Sequence, residues 1–242
     1  MSDPGIPAPD RRDYPAAPQR KSGARAVRPK DAASLVLIRK TPAGMEVLMG
    51  RRHKKTRFMP DVFVFPGGRL DAADARAKPA TALKRTVEAH LMRSATTARA
   101  RALAMAAVRE TYEETGLLLG AEGSVGGTRD AGWDAVRQTG MAPDLARLDY
   151  VGRAITRAAS PIRFDARFFL ADADHFTGEL AGSGELLDLA FLPLDQAREL
   201  RSAVITQFIL SEVTRLGDAS AAQRAKRAEY RWSGGERVVT YV

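Results

Sequence analysis

The chain has no cysteine, which excludes disulfides, thiol nucleophiles and thiolate-held zinc or iron-sulfur sites. Its three histidines, His53, His90 and His175, are too scattered to suggest a metal triad and read as ordinary side chains. No apolar run approaches the roughly 18 residues that cross a bilayer. The opening MSDPGIPAPDRRDYPAAPQRK lacks the apolar core of a signal peptide, and the closing VVTYV is no familiar peroxisomal address. A cytoplasmic protein is expected, neither secreted nor membrane-spanning. The absence of a Walker A loop, of H-E-x-x-H and of G-x-S-x-G argues against P-loop, zincin and serine-hydrolase chemistry.

What is present suits one globular domain with extensions: 242 residues, 45% hydrophobic and 28% charged. Residues 1–30 are rich in Pro, Ala and Arg and poor in large apolar side chains, so a disordered basic tail is expected. A domain over 31–215 and a C-terminal extension over 216–242 follow. The net charge of +9 is uneven: residues 51–109 hold fourteen Lys/Arg against four acidic residues, whereas 110–215 hold ten against seventeen. A basic stretch abutting an acidic one suits a polyanionic ligand as well as plain solvation.

ASLVLIR and MEVLMGRR flank TPAG and read as a hairpin, and Val62 to Phe65 form a β-prone run stopped by Pro66-Gly67-Gly68. Residues 80–115 contain neither Pro nor Gly, so they read as two helices meeting near Ser94–Thr97, with Gly116 as the stop. A polar glycine-rich loop follows. Three strand-like runs (LDYVGRAIT, ARFFLAD, LLDLAFLPL) and helices near 194–200 and 203–216 complete an α/β pattern with a mixed sheet. Phe63 and Phe65 read as core.

The stretch VRETYEETG concentrates charge. At about 100° per residue, Glu110, Glu113 and Glu114 share one helical stripe opposite Met105, Val108 and Tyr112. They also crowd a helix C-terminus, where the dipole disfavours anions. Either water solvates an acidic helix end, or a cation completes a carboxylate claw. Oxygen-only carboxylate donors suit Mg²⁺ or Mn²⁺.

VFPGG followed by RETYEETGL resembles the Nudix box, G-x5-E-x7-R-E-U-x-E-E-x-G-U, where U is bulky and apolar. Gly68 matches its first glycine; Arg109, Glu110, Glu113, Glu114, Gly116 and Leu117 match its second half. The resemblance implies an α/β/α Nudix sandwich with a mixed β-sheet and a helical insertion, about 72–100, within the box. It implies metal ligands at Glu113, Glu114 and the Gly67 carbonyl, Glu110 as ligand or base, and Arg109 orienting Glu110. Gly68 to Arg109 is 27 residues longer than the family spacing, Thr111 replaces an apolar residue, and Arg101 stands eight before Arg109 where a glutamate is expected. Asp71 or Asp74 then either supplies that carboxylate or serves a turn or cap.

The long insertion, FMPDVFVFPGGRLDAAD and SPIRFDARFFLAD resemble the acyl-coenzyme A diphosphatase branch. That implies cleavage of coenzyme A or acyl-CoA to a 3′,5′-phosphorylated adenosine and an (acyl-)4′-phosphopantetheine. Arg51, Arg52, Lys54, Lys55 and Arg57 are candidate phosphate binders or a solvated loop, and Glu185 is a candidate further acid or a strand-edge residue. The expected partner is a small nucleoside-diphosphate-linked molecule, with nucleic acid disfavoured, no membrane partner and a homodimer left open. The competing reading is a Nudix-fold nucleotide- or RNA-binding module with little hydrolysis.

Overall fold

The structure, a computed structural model, describes residues 27–56, 58–218, 220–233 and 236–242. The expected disordered tail lies, through residue 26, outside the described residues, as does Arg57. Strands β1 (Lys30–Thr41) and β2 (Gly44–Arg52) form the expected hairpin, with Thr41 paired to Gly44 across Pro42-Ala43. Side chains alternate along β1: Ala33, Leu35 and Leu37 enter one core cluster, Val36 and Ile38 the other. Burial on both faces marks a central strand.

After β2 come the short β3 (Phe63–Val64) and β4 (Gly67–Arg69), then α1 (Ala72–Arg76), α2 (Arg85–Met92) and α3 (Thr97–Thr115). Next are β5 (Gly120–Glu122), α4 (Ala131–Gln138), β6 (Met141–Pro143), β7 (Asp149–Ile155), β8 (Phe164–Asp172) and β9 (Leu186–Pro193). The chain closes with α5 (Leu194–Glu199), α6 (Val204–Asp218), α7 (Ala221–Arg224), β10 (Ala228–Ser233) and β11 (Glu236–Tyr241). A nine-stranded mixed sheet runs β11-β10-β7-β8-β1-β2-β3, with β4 paired to β1 and β9 to β2. β1–β8 and β10–β7 are parallel. Leu103, Met105 and Trp133 pack in the cluster with Leu35 and Leu37, while Ile209, Leu210 and Val213 of α6 pack with Val36 and Ile38. The result is the expected α/β/α arrangement, and the sheet is not a closed barrel.

One element departs from the sequence reading, and two left open by it find a place in the fold. The glycine-rich loop leads into α4, N-capped by Asp130, whose side chain accepts from the Trp133 N–H at 3.3 Å. Buried Trp133 and Val136 at i and i+3 anchor this helix. The segment set apart after Leu216 adds β10 and β11 to the sheet edge, because Ala228 and Tyr230 alternate inward beside β7. The insertion contributes Val87 and Leu91 of α2 to the core. Among the described residues no helix is long and apolar enough to cross a membrane.

Candidate active site

The alanine-rich turns of α3 govern how close the helix lies to the sheet. Ala104, Ala106 and Ala107 are fully buried, and such small side chains let α3 press against β1 and β4. At the end of that contact the Glu110 carboxylate lies where a Cβ on Gly68 would stand. Gly67, at φ 151°, occupies a conformation that side-chain-bearing residues avoid, and a Cβ there would sit 2.5 Å from the Ala33 carbonyl oxygen. Its N–H donates to Glu114 Oε2 at 2.8 Å. The third wall is α4: a Cβ on Gly132 would overlap the Glu113 carboxylate. Glycine on β4 and glycine on α4 thus bracket the carboxylate stripe.

Burial dominates the electrostatics. It pushes the Glu114 carboxyl up to about 8, against the Gly67 hydrogen bond and with Glu110 and Glu185 adding to the rise. It pushes Glu110 up to about 7, against Arg109 and with Glu113 adding to it. Glu113 is raised as well, first by burial. For Arg109, burial lowers the pKa, but the hydrogen bond to Asp74 and the charges of Glu110, Asp74 and Glu113 more than offset it. The guanidinium stays charged and acts as the hub. Its Nε donates to Asp74 Oδ1 at 2.7 Å and its Nη2 to Asp74 Oδ2 at 3.1 Å, while Nη1 lies 3.0 Å from both Glu110 Oε1 and Glu113 Oε2. Arg109 therefore ties the stripe to α1.

Of the two candidate aspartates in the incomplete half of the box, Asp74 is the one bonded to Arg109. It is fully buried and also accepts from Trp133 Nε1 at 3.0 Å and from the Asp71 N–H at 2.7 Å. Asp71 serves as the N-cap of α1, accepting from the Ala73 N–H at 3.0 Å. Counting six residues forward from Gly68, as the box is written, lands on Asp74; counting back from Arg109 crosses the insertion and lands on Arg101. Arg101 is exposed and donates to the Ala75 carbonyl at 2.7 Å. The forward count was the available signal.

The carboxylates form one end of a groove of about 1310 Å³. Arg52 and Glu185 line it, as does Asp130, an acid that sequence reasoning missed. Burial lowers the Arg52 pKa while Glu114 and Glu185 raise it, and its buried Nε has no hydrogen-bond partner among the described residues. Arg51 is not part of the lining. Strand alternation turns it away from Arg52, and it pairs with Asp61 and Asp188 at 2.7 Å each. Lys54 and Lys55 are likewise outside the lining, and none of the three histidines joins it. No residue from 72 to 108 lines the groove, so the insertion packs beside the site and does not cover it.

The chain is similar to a Nudix hydrolase from Alicyclobacillus acidocaldarius, at 31% identity over 81% of this chain and 96% of that one, with a TM-score of 0.59. A MutT Nudix hydrolase from Burkholderia pseudomallei is a more distant likeness, at 18% identity over 77% of this chain and 99% of that one and a TM-score of 0.46. No protein-family model matches the chain, and no curated protein does. The chain belongs to the Nudix hydrolase family, enzymes that cleave diphosphate bonds and in general need divalent metal ions.

The donor set fits such an ion in its chemistry. Three carboxylates, two of them raised by burial to near or above neutrality, gain from a hard cation with oxygen-only preference. Among the described residues no group of three or more His, Asp or Glu side chains stands in an arrangement ready to hold a metal ion. Instead Arg109 holds Glu110 and Glu113, and the Gly67 N–H holds Glu114.

Proposed function

We propose that this enzyme is a Mg²⁺- or Mn²⁺-dependent pyrophosphohydrolase of nucleoside-diphosphate-linked substrates, with coenzyme A and acyl-CoA as its preferred class. The observation carrying this reading is the stripe of Glu110, Glu113 and Glu114, buried against Gly67 and Gly68 at the end of a groove far larger than a diphosphate. Glu110, Glu113, Glu114 and the Gly67 carbonyl would hold the metal, which when bound neutralises the diphosphate and lowers the pKa of water. Glu110, whose carboxyl titrates near neutrality, accepts the proton of the attacking water. Water oxygen bonds to one phosphorus, the bridging P–O bond breaks, and the bridging oxygen leaves on the other phosphate. Arg109 keeps Glu110 aimed from its place on Asp74. Arg52, which lines the groove, offers its guanidinium to a phosphate oxygen, and Gly68 leaves the space that the Glu110 carboxylate occupies. Glu185, near both Glu114 and Arg52, is a further acidic group at the same end. Support for coenzyme A is the likeness of SPIRFDARFFLAD and the inserted box to the acyl-CoA branch, together with a groove whose volume, about 1310 Å³, exceeds what a diphosphate alone would fill.

The test separates products from coenzyme A, acetyl-CoA, ADP-ribose and diadenosine polyphosphates by chromatography, with and without Mg²⁺ or Mn²⁺. The expected result is metal-dependent release of adenosine 3′,5′-bisphosphate from coenzyme A, reduced about 10²–10⁴-fold in Glu110→Gln. Equal turnover in Glu113→Gln, Glu114→Gln and the unaltered enzyme would sink the assignment. RNA binding with steep salt dependence and no hydrolysis would replace it with a binding module.

A further inference from the structure

The far end of the groove is built by the C-terminal hairpin. β10 pairs in parallel with β7, Ala228 opposite Gly152 and Tyr230 opposite Ala154. The fit is close: a Cβ on Gly152 would sit 2.5 Å from the Ala228 carbonyl oxygen. With side chains alternating along β10, Tyr230 and Trp232 share a face, and both line the groove. Tyr230 is buried, its ring 5.0 Å from that of Phe208 on α6. Trp232 is different: 37% exposed, it is a large aromatic surface that lines the groove and stays open to solvent. Arg237 stands directly opposite Trp232 in the hairpin register and also lines the groove.

The groove is therefore polar along its length. Glu110, Glu113, Glu114 and Glu185 stand at one end, and a planar aromatic with Arg237 stands at the other. From β1 to β10 the sheet advances three strand spacings, about 14 Å. A ligand fixed by its diphosphate at the carboxylates presents its next group to the hairpin. An exposed indole beside a guanidinium complements a flat π-system that carries negative charge. Among the arms of a diphosphate substrate, a phosphorylated nucleoside has both properties, whereas an aliphatic arm has neither.

We infer that the β10–β11 hairpin is the specificity element of this enzyme, with the nucleoside base stacking on Trp232 and an anionic substituent of that nucleoside meeting Arg237. This rests on the nucleoside-diphosphate reading of the site and names the residues that read the nucleoside.

The chain's two tryptophans make the test direct, because Trp133 is fully buried and Trp232 is not. ADP titrated into the full-length protein quenches the Trp232 share of the emission, and ribose 5-phosphate does not. Trp232→Leu abolishes the quenching, with the Trp133 emission reporting that the protein is folded. It raises KM for coenzyme A about ten-fold or more, well beyond any fall in kcat. Trp232→Tyr restores most of the binding. Arg237→Gln weakens adenosine 3′,5′-bisphosphate more than adenosine. ADP that leaves the emission unchanged, or Trp232→Leu with KM unchanged, overturns the inference while metal-dependent hydrolysis stands. Quenching by ADP without hydrolysis of any nucleoside diphosphate upholds the hairpin's role and removes the proposed activity.

Discussion

Stripping divalent metal from this protein and raising the pH should destabilise it, and the direction follows from Glu114. Its carboxyl titrates at about 8 in the fold against an ordinary value of 4.5, because burial outweighs the Gly67 hydrogen bond. A carboxyl raised in the folded state contributes fully below its unfolded pKa and loses that contribution as pH rises through the folded value. Between those two values the folded state holds a proton that the unfolded state has released, so stability falls by about 1.4 kcal/mol per pH unit. Over the whole interval the ceiling is about 5 kcal/mol, and Glu110, raised to about 7 for the same first cause, acts in the same direction. Water entering the open groove screens part of this. If about 2 kcal/mol survives, the Tm of a chain of this size drops by roughly 4–8 °C. The assay is thermal unfolding in a chelator from about pH 5 to pH 8.5, repeated with saturating Mg²⁺ and with Glu114→Gln. The drop should be present in the chelator, smaller in Glu114→Gln, and largely removed by Mg²⁺. A Tm that is flat with pH in the chelator, or a drop identical in Glu114→Gln, would refute the reasoning.

Four further outcomes are expected. Asp74→Asn leaves the Arg109 guanidinium without its buried carboxylate, so it should cost about 3–5 kcal/mol of stability in urea unfolding and lower kcat as Glu110 loses its aim. Gly132→Ala should gain about 1 kcal/mol of helix propensity in α4, yet the added Cβ meets the Glu113 carboxylate. Activity titrated with Mg²⁺ should therefore shift to higher metal concentration while the fold persists. Arg52→Ala should raise KM for diphosphate substrates by about ten-fold or more, the loss expected of a hydrogen bond to a charged group. Arg51→Ala should leave KM unchanged and cost under about 1 kcal/mol, because Arg51 serves two partly exposed ion pairs outside the groove.

The elements most legible in the sequence are those set by local chemistry. The carboxylate stripe follows from helical geometry alone, and Pro66-Gly67-Gly68 announces a backbone that other residues cannot adopt. The β1–β2 hairpin and α3, capped by Thr96 and stopped at Gly116, follow from turn and cap residues. Arg51 and Arg52 show where local chemistry stops. Strand alternation says that only one of them faces the groove, and the choice depends on Asp61 and Asp188, acids nine or more residues away. α4 was obscured because composition makes Gly132 look like loop, whereas its glycine answers to Glu113, 19 residues earlier in the chain. Long-range contact, which no window of sequence contains, decided both.

The 27-residue insertion shows why such a site tolerates being split. Asp74 and Arg109 are 35 positions apart in the chain yet joined by two hydrogen bonds, at 2.7 and 3.1 Å. The extra residues leave the chain after Asp74 and return before Arg109, so the loop they form begins and ends at a fixed, buried pair. α2 lies within that loop and buries Val87 and Leu91 in the α3 side of the core. Closing a longer loop costs little, growing only with the logarithm of its length, and this apolar burial offsets part of it. The carboxylates depend on where α3 meets β4 and α4, contacts that lie outside the insertion. Shortening the loop should therefore lower stability through the lost α2 packing while leaving the Arg109–Asp74 pair in place. Loss of metal-dependent turnover out of proportion to the loss of stability, in a folded variant with α2 replaced by a short glycine-rich link, would show that the insertion acts on the site itself.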